Sequence, residues 1–300
     1  MITSVSDLLD EGNGRMGETQ EESLERQERW AKGVMPTLLR FADQVGAFTN
    51  EVFAMDILHD WDNGADIMAL SFVTKQREHL RSIRVLIAAK QHRDGLLIAR
   101  TMIEGRARLL WAFRDTPERT DQWLWFCAIL DWRRMLDLEA KGVRVDPVAK
   151  AELAELVRKH GPSYLSPRVR KELAQAEANG KEYRLPEDPW DYKWTDTKVS
   201  EMFGEVQGDR MYRGAYGHSS EWVHWGPQSV LGAFELGDWN AGAFTEEDWR
   251  SAVEALRLAC QSVLQCLEIL DVHFSLGLAE RIGGFWSTME RIRDEANAEG

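Results

Sequence analysis

From Glu21 onward, apolar and polar positions repeat at helical rather than strand spacing. Between Ala65 and about Gln91, apolar side chains fall at Ile67, Leu70, Val73, Leu80, Ile83 and Ile87, which line one face of a long helix. Trp249, Val253, Leu256, Ala259, Val263, Leu267 and Leu270 draw a second such stripe. It is opened by Thr245-Glu-Glu-Asp, a capping hydroxyl followed by acids that suit the positive end of a helix. Pro36 should bend or restart the helix that begins at Glu21, leaving a second piece from Pro36 to about Leu58. Asp60-Trp-Asp-Asn-Gly64 is turn chemistry. Asp94 is placed to cap a helix from Gly95 to Arg114, and Pro117 starts another that reaches about Lys141. No strand alternation, internal repeat or low-complexity segment is found. The pattern predicts an all-α, multi-helix bundle.

The middle of the chain reads differently. Asp146–His160 and Ser166–Asn179 are two short, charged, amphipathic helices, and 180–196, with Pro186 and Pro189, is a long connection. This divides the chain into a disordered tail (1–19), an N-terminal half-bundle (20–145), a helical insertion and candidate lid (146–196), and C-terminal helices that complete the bundle (197–300).

Two sets of polar residues break the apolar pattern. Tyr212, Tyr216, Ser220 and His224 recur every four residues, and each such step drifts only about 40° around a helix. Two phenols, a hydroxyl and an imidazole would therefore form one stripe, the wall of a polar site. On the helix from Gly95 to Arg114 apolar side chains cover nearly the whole circumference, which predicts a central, buried helix. Arg100 and Glu104 share a face of it, and a buried charge must be paired and hydrogen-bonded. They serve either as a structural clamp or as the second half of the site that the stripe begins.

Composition narrows the partners. The 300 residues are 44% hydrophobic and 29% charged, as in an ordinary globular protein. The net charge of −13 opposes binding of long duplex DNA, although Arg100, Arg106, Arg108 and Arg114 could form a local basic patch. The 13 tryptophans are expected in helix–helix contacts. Three scattered cysteines provide neither a disulfide framework nor metal-ligand spacing. With no signal peptide and no apolar run of membrane-spanning length, a cytoplasmic protein with no membrane partner is expected. Neither a cofactor nor a metal is called for, and a homo-oligomer or a partner protein is compatible with the chain.

The block from Arg81 through Ile-Ala-Arg100-Thr-Met-Ile-Glu104 into Leu-Leu-Trp, followed by Tyr-x3-Tyr-x3-Ser-x3-His, resembles a widespread family of uncharacterised bacterial helical proteins. The resemblance covers about residues 65–230 and implies that Arg100, Glu104, Tyr216, Ser220 and His224 belong together. Proteins of this kind look like relatives of the helical HEPN group, ribonuclease-like proteins of toxin–antitoxin and phage-defence loci. The hallmark of that group, Arg-x4–6-His, is matched in spacing by Arg213-Gly-Ala-Tyr-Gly-His218, with glycine at 214 where the motif usually carries a polar residue. The resemblance implies cleavage of RNA or a nucleotide, with His224 or His218 as acid/base and Arg100 stabilising the anion.

Other arrangements compete. Helical-bundle di-metal oxidases use Glu and Glu-x-x-His ligands, and the chain offers Glu221-x-x-His224, Asp56-x-x-His59 and Glu104. Ser220 and His224 are one turn apart, within reach as nucleophile and base, with Glu104 available across the bundle to orient the imidazole. Asp60-x-Asp-x-Gly-x-Asp hints at a calcium loop but lacks the closing Glu. The leading expectation is a stress or phage-defence effector that cleaves RNA or a nucleotide. A non-catalytic sensing or interaction protein stands second and a di-metal oxidase third.

Overall fold

The computed structural model describes residues 20–186, 188–206 and 249–299. It is an all-α, multi-helix structure, and its described residues form two compact units. The first takes the chain up to Leu58, Ala69–Trp111 and the residues from Val199 onward. The second takes His59–Met68 and Ala112–Lys198.

In the first unit α1 spans Gln20–Phe53 as one helix with Pro36 inside it, so the restart expected at Pro36 does not occur. Met35, Leu38, Phe41 and Ala42 are buried on either side of the proline, while Pro36 and Lys32 face solvent. The apolar stripe thus continues across the proline, and the Lys32 carbonyl that loses its donor lies on the side where water can replace it. Two further helices of this unit are α2 (Gly64–Ala88, from Ala69) and α3 (His92–Ala112). An Arg84–Asp43 ion pair and Arg77 stacked 5.1 Å above the Phe53 ring run α2 antiparallel to α1. Ile83 beside Gly95, and Gln76 bonded to Met102, run α3 antiparallel to α2.

The second unit contains α4 (Glu118–Ala140), α5 (Pro147–His160), a 3-10 turn (Gly161–Tyr164) and α6 (Pro167–Ala178). Asp146 and Ser166 cap α5 and α6, each followed by proline at the first helical position. The connection after α6 is tied down at several points. Leu165 and Trp190 form an antiparallel bridge, and the Trp190 ring lies on Gly161 so closely that a Cβ there would sit 2.6 Å from Cη2. Arg133 on α4 donates to Asp188 Oδ1 at 2.9 Å and to the carbonyls of Trp190 and Asp191 at 2.7 Å each.

The chain returns to the first unit with α7 (Val199–Val206), α8 (Trp249–Phe274) and α9 (Ala279–Glu299). The helix enclosed on all sides is α8, not α3: every residue from Ala255 to Leu264 is buried. The exposed Thr101 and half-buried Arg108 give α3 a solvent-facing edge instead. The Phe285 ring of α9 stacks on Phe48 at 5.2 Å, and Arg281 bonds Glu51 at 2.6 Å, so α9 runs antiparallel to α1. No helix of the described residues is long and apolar enough to cross a membrane.

Candidate functional site

The polar groups of the first unit are best followed along α3. Gly95, Ala99, Met102, Ile103 and Arg106 share one face by helical spacing, and all are buried. Gly95 meets α8 there, because a Cβ built on it would contact Ala255 Cβ at 3.7 Å. At the start of α3 the His92 ring lies 4.9 Å from that of Trp249, at 3% exposure, and neither ring nitrogen has a hydrogen-bond partner among the described residues. The 92–249 and 95–255 contacts make α3 and α8 run parallel.

Arg106 is the unexpected member of that face. It is the bulkiest fully buried side chain of the described residues, at 0% exposure. Burial pushes its guanidinium down to about 10; Cys266, in its thiolate form, opposes that shift and the Arg257 guanidinium adds to it. Burial in turn pushes the Cys266 thiol up to about 12, so that group is a neutral neighbour at physiological pH. Arg257 is itself nearly buried and holds Glu254 through two bonds, at 3.0 and 3.1 Å. Two guanidiniums within electrostatic range of one another are thus embedded in a protein of net charge −13.

Arg100, Glu104 and Arg108 occupy the flank of α3, one turn apart. Arg108 donates to Glu104 Oε1 from Nη2 at 2.6 Å and from Nε at 3.2 Å. The two side chains are 32% and 28% exposed, and Arg100 is half-buried. The expected pair of enclosed charges is therefore a half-buried row of three. The carboxylate is gripped from the following turn, with Arg100 one turn before it.

On the opposite flank Gln76 of α2 reaches across and donates from Nε2 to the Met102 carbonyl at 2.8 Å. Among the described residues its Oε1 has no hydrogen-bond partner, and neither does Ser262 Oγ on α8. Ser262 shares the α8 face of Ala255 and Cys266 by helical spacing.

Tyr216, Ser220 and His224, with Tyr212, Arg213 and His218, lie outside the described residues. So does Glu221 of the di-metal alternative. Among the described residues no group of three or more His, Cys, Asp or Glu side chains is placed to hold a metal ion. Cys260 and Cys266 are buried and Cys127 is exposed, all three as free thiols.

What fold and geometry define is an all-α protein with a charged row on the flank of α3 and a buried guanidinium on its core face. A family of unknown function, DUF5677, matches residues 66–240, more than half of the chain, and the chain belongs to that family. The match takes in both α3 and the Tyr/Ser/His stripe. No curated protein and no solved structure matches the chain.

Proposed function

We propose that this chain is a bacterial stress or phage-defence effector that cleaves RNA or a nucleotide in the manner of HEPN proteins, at a polar site to which α3 contributes. The observation that supports this reading is the half-buried row on α3, where Arg108 grips Glu104 and Arg100 stands one turn before it, with the buried Arg106 on the same helix. Cations kept inside an acidic protein suit recognition of a phosphate, for which the planar guanidinium is the preferred donor. In this reading His224 or His218 moves the proton, and Arg100 stabilises charge on the phosphoryl oxygens. Tyr216 and Ser220 orient the substrate, and Glu104 sets the geometry of the arginines beside it. Such chemistry needs no metal.

Induced expression tests it. The expected result is growth arrest that His224→Ala or His218→Ala relieves at equal protein level. Arrest that survives both substitutions would overturn the reading.

A second reading, a non-catalytic sensing or interaction protein with a structural polar network, is favoured by one observation. The Gln76–Met102 bond ties α2 to α3, and the Arg108–Glu104 pair braces successive turns of α3 itself. Under that reading both histidine variants leave every phenotype unchanged, while Glu104→Ala lowers stability.

A further inference from the structure

The turn between α1 and α2 carries a feature that the proposed cleavage site does not use. Trp61 is 74% exposed, and Leu58, three residues earlier in the chain, is 86% exposed. Large apolar side chains in water are a standing cost, and Trp is the residue most enriched where partner proteins bind tightly.

The segment that displays Trp61 is not a loose loop. The Asp60 N–H donates to Asp66 Oδ2 at 2.8 Å, and the Asp62 N–H donates to Asp60 Oδ1 at 2.9 Å. Asn63 Oδ1 accepts from the Ala65 and Asp66 N–H groups at the start of α2. The Gly64 N–H donates to Asp121 Oδ1 at 3.1 Å, and a Cβ on Gly64 would sit 2.5 Å from the Thr120 carbonyl. The His59 ring supports Trp61 edge-on at 4.7 Å. An aromatic held on a clamped turn has already lost the freedom that binding would otherwise remove.

We propose that this turn docks a basic, amphipathic segment of a partner protein, with Trp61 as the apolar anchor. Charge selects the occupant. Asp60 and Asp62, both exposed, flank the indole, and the chain carries a net charge of −13. A second copy would bring the same acids against themselves, whereas lysines and arginines on the partner meet them with opposite charge. The arrangement suits a helix with apolar residues on one face and cations beside them.

A fluorescent Lys/Leu amphipathic peptide and its Glu/Leu counterpart are the probes, read by anisotropy with the full chain. The Lys/Leu peptide should bind and the Glu/Leu peptide should not. Trp61→Ser should weaken binding by about tenfold or more, Trp61→Phe by only about threefold, and Asp60→Asn with Asp62→Asn should remove most of the salt dependence. Hydrogen exchange should show protection at 58–63 with the peptide bound. The indole is exposed, so Trp61→Ser keeps the far-ultraviolet circular dichroism of the parent. Failure of the Lys/Leu peptide to bind overturns the proposal. So does equal binding by Trp61→Ser, which would reveal diffuse attraction to an acidic surface. Self-association of the parent that Trp61→Ser abolishes would assign the turn to a second copy instead.

Discussion

Arg108 and Glu104 are joined along one flank of α3 by two bonds to the same carboxylate oxygen, 2.6 Å from Nη2 and 3.2 Å from Nε. Both side chains remain about a third exposed, so water screens the pair and limits what it adds to stability. Glu104→Gln should cost about 1 kcal/mol of stability, a shift in Tm of only a few degrees. Growth arrest on expression, if Glu104 sets the arginines of a working site, should fall far more than that loss of stability explains. Urea denaturation and the expression assay, run on the same variant, separate the two effects. A variant that fails to fold would assign the row to the core.

Gly161 leaves no room for even a single methyl group beneath the Trp190 ring. Its Cβ would lie 2.6 Å from Trp190 Cη2 and 2.7 Å from Cζ3, distances that a rigid indole cannot accommodate without moving. Gly161→Ala should cost about 1–3 kcal/mol and open the 180–196 connection to proteolysis, as followed by limited trypsin digestion.

Arg133 fixes the same connection from α4. Its guanidinium donates to one carboxylate and two carbonyls and lies 4.1 Å from the centre of the Tyr192 ring. Arg133→Met should cost about 2–3 kcal/mol, because the three acceptors lose a charged donor together. Hydrogen exchange gives the sharper readout. The Asp191 N–H that donates to the Tyr164 carbonyl, and the Ser166 N–H that donates to Pro189, should both lose protection.

Acid should weaken the protein before its carboxylates titrate. Burial, with Lys159 adding to it and Asp121 opposing, holds His160 below its ordinary value of 6.5; burial with Lys75 does the same to His79. Both imidazoles bind a proton more weakly in the folded chain than in the unfolded one. Their contribution to stability is therefore complete above about 6.5 and lost as the pH falls through their lower folded values. Urea unfolding at about pH 7.5 and about pH 5.5 should show this loss. The His160 ring stacks on Trp125 at 4.1 Å, so His160→Phe keeps the stacking and should flatten the pH dependence. Equal stability at the two pH values would contradict the assignment.

The fold was legible where periodicity governs it. Val73, Leu80, Ile83 and Ile87, and the stripe from Val253 to Leu270, are buried as their spacing predicts, while Ile67, Leu70 and Trp249 at the stripe ends are half-buried. Pro36 misled because sequence shows the missing N–H but not that the proline sits on the solvent side of a continuous apolar stripe. The tethers on 180–196 join residues such as Arg133 and Asp188 that no local pattern connects. Of the candidate site, only the α3 residues can be compared with the structure. Arg100 and Glu104 stood out by their charge, yet an all-apolar helical wheel exaggerated their burial. Arg106 was passed over as one of a basic patch. Its spacing of seven from Ala99 and eleven from Gly95 already put it on the small-residue face, the signal that identifies it as the enclosed cation.

Incubation of the purified protein with an end-labelled single-stranded RNA in the presence of EDTA tests the central claim most directly. Cleavage should persist without metal, fall by about a hundredfold or more in the His224→Ala, His218→Ala double variant, and fall strongly in Arg100→Ala. Intact RNA with the parent protein, or equal cleavage by parent and double variant, would contradict it.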